Sequence, residues 1–197
     1  MQMVRAFFMK YRRAVRECIC AGVAALLVTA IYIGGLQLSG NFHPVIVGEI
    51  YRSAQPAAGD IASYQSAYGI QTIVNLRGTG GNSAWYETEI AEARKLGIAH
   101  IDFPMSASED LSQDEAADLV KLLAAAEKPI LIHCKAGADR SGLVAALYLA
   151  AIAHRDEESA ESQISLRYGH ISLPGAGAWA MDRSFEALEP WLGYHNS

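Results

Sequence analysis

The sequence predicts an α/β fold with a central, mainly parallel sheet flanked by helices, preceded by one N-terminal transmembrane helix. Strand-like and helix-like segments alternate from residue 44 to residue 149, which is typical of a parallel sheet covered by helices. Residues 18–38 carry no formal charge, which indicates the membrane helix. The chain of 197 residues has room for one domain of ordinary size and this appendage.

The N-terminal segment predicts export of the rest of the chain. Its uncharged run of 21 residues, 18–38, is long enough to cross a bilayer core of about 30 Å as a helix. Glu17 is the one acidic residue before that run, against five basic ones: Arg5, Lys10, Arg12, Arg13 and Arg16. The positive-inside rule therefore keeps residues 1–17 as a basic cytoplasmic tail and places everything after about residue 39 outside the cytoplasm, in the periplasm of a bacterium.

A cleaved signal peptide is the alternative for this segment. Signal peptides usually have an apolar region of about 7–15 residues and a cleavage site of small residues. The run here is longer, and no convincing Ala-x-Ala pattern precedes Asn41. We therefore expect a single-pass anchor, and both alternatives export the domain.

Residues 41–197 are predicted to form the domain, and its first half contains three strand regions. Residues 44–52 predict two short strands around a turn, followed by a break at residues 53–56. The next segments are a helix over 60–68 ended by Gly69, a central strand over 70–76, a glycine-rich loop over 77–82, a helix over 83–96 ended by Gly97, and a strand over 98–103.

The second half of the domain is mostly helical. After a polar turn over 104–111, Ser112 and Glu115 form a capping box that opens a helix running to about residue 127. A buried strand over 129–132, a loop over 133–142 and a helix over 143–149 follow. Two further helices are predicted over 157–168 and 179–191.

Charge and metal-ligand content exclude several classes of function. Five of the 16 Lys and Arg residues and one of the 21 Asp and Glu residues lie in the first 40 positions, which leaves 11 basic and 20 acidic residues beyond them. This balance argues against nucleic acid as a partner. The six His and three Cys residues show no cluster with metal-ligand spacing, so no metal or other cofactor is predicted.

The loop over 133–142 carries the chemistry. At a strand-to-helix turn, successive backbone N–H groups and the start of the helix attract a dianionic oxyanion such as phosphate. Cys134 opens this loop, where positive potential favours the nucleophilic thiolate. Arg140 closes it, and its planar guanidinium matches two phosphoryl oxygens at once.

Cys134, followed by five residues, Arg140 and Ser141, with His133 in front, resembles the signature of the cysteine-dependent protein tyrosine phosphatases. The form His-Cys-Lys-Ala-Gly is most similar to the dual-specificity and lipid-phosphatase branch. The segment Tyr-Arg-Ser-Ala-Gln-Pro at residues 51–56 resembles a group of small bacterial phosphatases of the same superfamily.

This resemblance implies a phosphatase-type fold and the hydrolysis of phosphate monoesters through a cysteinyl-phosphate. Substrates would be phosphotyrosine, phosphoserine or phosphothreonine in proteins, or phosphoinositides. His133 would order the loop, and Ser141 would hydrogen-bond the sulfur. The implied phosphate-binding residues are Lys135, Ala136, Gly137, Ala138, Asp139, Arg140 and Ser141.

The general acid has three candidates. The superfamily usually carries it as an Asp on a loop upstream of the Cys, which here runs from Asp102 to Asp110. Asp102 lies in a predicted strand, and Asp110 stands just before a helix start, where an Asp is commonly only a favourable charge. Asp139, directly before the signature Arg, resembles the acid of myotubularin-like and Sac-type phosphoinositide phosphatases and of some secreted bacterial phosphatases.

Two arginines, Arg52 and Arg77, each have two alternative expected roles. Arg52 is expected either to touch the rim of the site or to form a surface salt bridge, and Arg77 either to draw substrate in or to lie in a mobile loop.

Two other functions are alternatives to a phosphatase. A catalytically dead, membrane-tethered phosphate-binding module would not need Cys134 and Ser141. A rhodanese-like sulfurtransferase also places a Cys loop after a strand, but lacks this spacing to Arg.

Overall fold

The structure, a computed structural model, describes residues 2–81 and 83–195, with the side chains of these residues except 2–11 and 14. Asn82 of the predicted loop, the side chains of Arg5 and Lys10, and the last two residues of the predicted domain therefore lie outside the described residues. The chain divides into two compact units, Met1–Leu38 and Ser39–Ser197.

The first unit is one long helix, α1 (Gln2–Leu38). Its part Val15–Leu38 is 24 residues long and apolar enough to cross a membrane, judged by length and composition. Most of the large apolar side chains of this part are exposed, among them Ile19, Leu26 and Ile31. The helix therefore has the features both of a membrane anchor and of a signal sequence.

A five-stranded sheet organises the described residues of the second unit. Its strand order is β1-β2-β5-β3-β4, where β1 is antiparallel to β2 and the other pairs are parallel. The bounds are β1 (His43–Ile46), β2 (Ile50–Ser53), β3 (Thr72–Asn75), β4 (Ala99–Asp102) and β5 (Ile130–His133). This arrangement confirms the predicted α/β fold with a mainly parallel sheet.

Helices cover both faces of the sheet. Successive side chains of a strand point to opposite faces, and β5 shows this directly. Ile130 and Ile132 belong to one apolar core, and Leu131 belongs to the other. The first core is completed by α4 (Gln113–Ala125), α5 (Asp139–Leu147) and α7 (Ala180–Leu192); the second by α2 (Ala58–Tyr68) and α3 (Ala84–Leu96).

The helix ends follow the signals in the sequence. Gly69 and Gly97 adopt the left-handed conformation directly after α2 and α3, where a residue without a Cβ is least strained. At the start of α4, Ser112 Oγ accepts a hydrogen bond from Glu115 N, and Ser112 N donates to Glu115 Oε2. The predicted capping box is therefore confirmed.

The prediction of a single helix over 157–168 is wrong. Only α6 (Glu157–Glu161) is α-helical, and a single 3₁₀ turn follows at Leu166–Tyr168. The side chains of Ser162 and Ser165 donate to nearby backbone carbonyls, which competes with helix formation. The carbonyl of Gln163 accepts a hydrogen bond from Arg52, 111 positions away. A tertiary contact thus replaces the helical one.

The helix after the Cys134 loop also begins earlier than predicted. We expected a loop over 133–142, but α5 starts at Asp139, so Asp139, Arg140 and Ser141 form its first turn. After Leu147 the helix continues as one π-helical segment, Tyr148–Ile152. The loop itself is therefore only residues 134–138.

Candidate active site

The carboxyl ends of the parallel strands converge on the Cys134 loop. In the strand pairing, His133 of β5 stands beside Ser53 of β2 on one side and Asn75 of β3 on the other. Cys134 follows directly, so it lies at the edge where open α/β sheets place their ligand crevices. Cys134 is 2% exposed, and its Sγ accepts a hydrogen bond from Gly137 N at 3.2 Å.

Three consecutive carbonyls of the loop are held by side chains from elsewhere in the domain. Asn41 Nδ2 donates to Ala136 O at 2.9 Å, and Arg52 Nη2 donates to Gly137 O and to Ala138 O, both at 2.9 Å. In a trans peptide the N–H points away from the C=O before it. Holding these carbonyls therefore directs the N–H groups of residues 137–139 to the opposite side, where the N–H of Gly137 contacts Sγ.

We call Asn41 and Arg52, the two residues that hold these carbonyls, the carbonyl clamp. Arg52 makes two of its three hydrogen bonds. It is fully buried; its Nη1 donates to Gln163 O at 2.7 Å, and its guanidinium lies 4.1 Å from the ring centroid of Tyr168. Burial lowers the pKa of Arg52 to about 10, so it remains charged at neutral pH. The surface salt bridge expected for Arg52 is therefore wrong, because the side chain has no access to solvent.

Two glycines permit this packing. Gly137 has a φ of +70°, and a Cβ there would lie 2.5 Å from the backbone N of Ala54. A Cβ at Gly142 would lie 2.9 Å from Gln163 O and 3.2 Å from Arg52 Nη2. Each position therefore requires glycine for the loop and the clamp to come together.

We expect Arg52→Met to destabilise the domain by about 3 kcal/mol or more, because three buried carbonyls lose their charged donor. Affinity for inorganic phosphate should fall as well, since the loop N–H groups lose their support. Arg94→Met, an exposed arginine at the end of α3, is the matched control. Denaturant unfolding and phosphate titration check both effects, and identical behaviour of the two variants would contradict the role of Arg52.

Arg140 has one side of its guanidinium held by the protein. Its Nη1 donates to Leu76 O at 3.1 Å and to Met105 O at 3.2 Å, in the loops that follow β3 and β4. Its Nε is buried and has no hydrogen-bond partner within residues 2–81 and 83–195. Nε of Arg140 is therefore a charged donor that these residues leave unused.

The other loop residues differ in exposure. Lys135 is exposed, whereas Ser141 is buried. Ser141 Oγ has no hydrogen-bond partner in the described part of the chain, so the expected bond to Cys134 Sγ does not form here. Within the same part, no three His, Cys, Asp and Glu residues are grouped as metal ligands would be.

The three acid candidates have different surroundings. Asp102 ends β4 and accepts hydrogen bonds from Asn75 Nδ2 at 2.7 Å and from the hydroxyl of Tyr86 at 2.5 Å. Asp110 is largely exposed and pairs with Arg183 Nη2 at 2.6 Å. Asp139 is on the first turn of α5 beside Arg140, so it is the candidate that belongs to the Cys134 loop and helix.

A buried network under the loop contains a residue that the sequence did not single out. Glu89 of α3 is buried, and its Oε1 lies 2.7 Å from His100 Nε2 and 3.0 Å from His133 Nε2. Burial raises the pKa of Glu89, but the hydrogen bonds to both histidines outweigh it and lower the pKa to about 2. The ionised Glu89 thus orients His133, the residue before Cys134. Because α3 contains several Glu residues, nothing in the sequence distinguishes Glu89 for this role.

The same network reaches Arg77. Gln55 donates to Glu89 through its Nε2 and accepts from Arg77 Nη1 at 2.7 Å through its Oε1. The guanidinium of Arg77 also lies 3.8 Å from the ring centroid of Trp85. Both contacts hold Arg77 in place, which disagrees with the alternative of an unrestrained loop side chain.

Comparisons with known proteins agree with this geometry. Residues 33–161, about two thirds of the chain, match the family described as "Tyrosine phosphatase family". No curated protein matches the chain. Solved structures resemble it at the level of the fold.

TpbA of P. aeruginosa is 24% identical, with a TM-score of 0.58 over 79% of this chain and 92% of that one. The catalytic domain of the PP-IP phosphatase SIW14 of S. cerevisiae is 18% identical, with a TM-score of 0.57 over 79% and 94%. PTPMT1 in complex with PI(5)P is 16% identical, with a TM-score of 0.55 over 76% and 97%. The family match, together with Cys134 and Arg140 at the ends of one loop and helix start, shows that the chain belongs to the tyrosine phosphatase family and is a cysteine-dependent phosphatase.

Proposed function

We propose that the chain hydrolyses phosphate monoesters through a cysteinyl-phosphate formed on Cys134. The observation that carries the proposal is the carbonyl clamp, which directs loop N–H groups toward the side where the N–H of Gly137 contacts Cys134 Sγ. The buried, unpartnered Nε of Arg140 supplies a charged donor to the same anion. A phosphoryl group bound there contacts the sulfur and these donors at the same time.

The proposed reaction has two steps. The Cys134 thiolate attacks phosphorus in line, the S–P bond forms, and the P–O bond to the leaving group breaks as an acid protonates the departing oxygen. Water then attacks phosphorus and gives a proton to the carboxylate left by the acid, the S–P bond breaks, and inorganic phosphate leaves while the thiolate and the acid are restored. Arg140 and the loop N–H groups stabilise the negative charge on the transferred phosphoryl oxygens in both steps.

Asp139 is the acid that we propose, with Asp110 as the second candidate. Asp139 directly precedes Arg140, and its side chain is 28% exposed, so solvent reaches it. Asp110 pairs with Arg183 at the surface, and Asp102 is held by Asn75 and Tyr86. Lys135, Ala136, Gly137, Ala138 and Ser141 complete the proposed phosphate-binding set.

The proposed substrates are phosphorylated proteins first and phosphoinositides second. Solved structures of similar fold include TpbA with phosphotyrosine and PTPMT1 with PI(5)P, which supports both classes. The exposed Lys135 at the loop is available to a second phosphate, which favours the lipid class, whereas the excess of acidic residues beyond position 40 disfavours it.

The test is phosphate release by the full chain in detergent from phosphotyrosine and phosphoserine peptides and from phosphoinositides, with vanadate as inhibitor. Vanadate-sensitive turnover of at least one class supports the proposal. Phosphate binding without turnover would instead indicate the phosphate-binding module. Sulfur transfer from thiosulfate to cyanide would indicate the rhodanese-like alternative.

For localisation we propose a single-pass anchor over residues 18–38, with the domain over 41–197 outside the cytoplasm. The uncharged run and the basic residues before it support this orientation. Alkaline phosphatase fused after Ser197 should be active in a bacterial host, and the fusion should stay with membranes. Replacing Arg12, Arg13 and Arg16 by Glu should lower that activity. Activity of a cytoplasmic reporter at the same position would contradict the orientation.

A further inference from the structure

His170 lies between two carboxylates beside the Cys134 loop. Its Nδ1 is 2.8 Å from Asp139 Oδ1, and its Nε2 is 2.9 Å from Asp182 Oδ2. The His170 side chain is fully buried, whereas those of Asp139 and Asp182 are 28% and 15% exposed. Gly169, at a φ of +85°, ends the preceding 3₁₀ turn, and Asp182 is on the first turn of α7. The three side chains thus connect α7 to the first turn of α5.

The geometry sets the protonation of the ring. Each ring nitrogen faces a carboxyl oxygen, so an N–H on both nitrogens, which makes the ring an imidazolium, satisfies both contacts. Burial lowers the pKa of His170, but the hydrogen bonds to Asp139 and Asp182 outweigh it and raise the pKa above its ordinary value. The ring therefore carries its charge further into the neutral range than an exposed histidine.

Other charges near this group come from two further elements. Arg52 of β2 interacts electrostatically with Asp139, and Glu161 of α6 interacts with Asp182. Arg52 adds positive charge on the Asp139 side, and Glu161 adds negative charge on the Asp182 side.

We infer that His170, held by Asp182, is the positioning residue of the proton donor, because it fixes Oδ1 of Asp139 and leaves Oδ2 for the leaving group. The structure gives Oδ2 no hydrogen bond within its described residues, so that oxygen is free to carry the transferred proton. The inference rests on the proposed function with Asp139 as the acid. His170 itself does not touch the substrate.

One effect follows for the reaction. Fixing one oxygen orients the carboxyl, so loss of His170 lowers the rate most with poor leaving groups, which need the proton. Purely structural damage would instead lower the rate equally for good and poor leaving groups.

The test uses His170→Asn and Asp182→Asn in the full chain, with His154→Asn, an exposed histidine, as the matched control. Asn at position 170 keeps an amide donor near the place of Nδ1 without the charge. Asn at position 182 removes the negative partner that stabilises the imidazolium. For both variants we expect turnover of an alkyl phosphate to fall more than that of para-nitrophenyl phosphate.

Nitrogen NMR of the His170 ring in the wild-type chain provides a second readout that does not depend on the variants folding. Two protonated ring nitrogens at neutral pH support the inference, and a neutral ring overturns it. Equal losses on the two substrates in folded, active variants also overturn it and leave the proposed function intact. A wild-type chain without any phosphatase activity overturns the proposed function, and this inference with it.

Discussion

The Cys134→Ser variant should lose turnover of para-nitrophenyl phosphate by roughly 10⁴-fold or more, which is the scale on which removal of a nucleophile acts. A serine hydroxyl stays protonated at neutral pH, and among the residues that the structure describes no base is hydrogen-bonded to Cys134 to activate it: the hydrogen bond to Sγ comes from the N–H of Gly137. Phosphate binding should persist, because the carbonyl clamp and Arg140 are unchanged. Steady-state kinetics and calorimetric titration with inorganic phosphate check the two expectations.

The chain supplies its own control for this experiment. Cys18 and Cys20 are exposed free thiols of α1, outside the unit that carries the site. Cys18→Ser and Cys20→Ser should retain full activity. If Cys134→Ser kept more than about one hundredth of the wild-type rate, hydrolysis through a cysteinyl-phosphate would be wrong.

The second large effect concerns the acid. A general acid contributes about 100- to 10,000-fold to the rate, mostly for leaving groups that need the proton. Asp139→Asn should therefore slow hydrolysis of an alkyl phosphate far more than that of para-nitrophenyl phosphate, and it should flatten the alkaline limb of the pH–rate profile. Asp110→Asn should change little, because its exposed pair with Arg183 contributes little energy.

Measuring both substrates with both variants separates chemistry from structure. If Asp139 only supports Arg140 and His170, then Asp139→Asn should slow the two substrates equally and weaken phosphate binding. A loss that depends on the leaving group in Asp110→Asn alone would transfer the role of acid to Asp110.

Local patterns predicted most of the fold because they depend on neighbours in the sequence. Gly69, Gly97 and the box at Ser112 end or begin helices through contacts within a few positions. The helix over 157–168 was mispredicted because the carbonyl of Gln163 bonds to Arg52 instead of to a helix N–H. Local propensity contains no information about such a partner.

The candidate site was likewise predicted only in part from the sequence. The spacing of Cys134 and Arg140 is readable because one loop and one helix start hold both. The residues that support them act over long separations: Asn41 and Arg52 bond to loop carbonyls 95 and 85 positions away, and Glu89 bonds to His133 at a separation of 44. The motif around Arg52 hinted at the site, whereas nothing in the sequence distinguished Glu89 or His170 from other buried polar residues.

The position of Asn41 decides where the domain can be cut from its N-terminal helix. Gly40 O accepts a hydrogen bond from Ala54 N at 2.8 Å, and Asn41 Nδ2 donates to Ala136 O and to Tyr168 O. Proteolysis before Ser39 leaves these bonds in place. A cut after Asn41 removes them, and with them the hydrogen bond from Asn41 to Ala136 O beside Gly137 of the Cys134 loop. An enzyme released from α1 therefore has to retain Gly40 and Asn41, which lie two and three positions beyond the end of that helix.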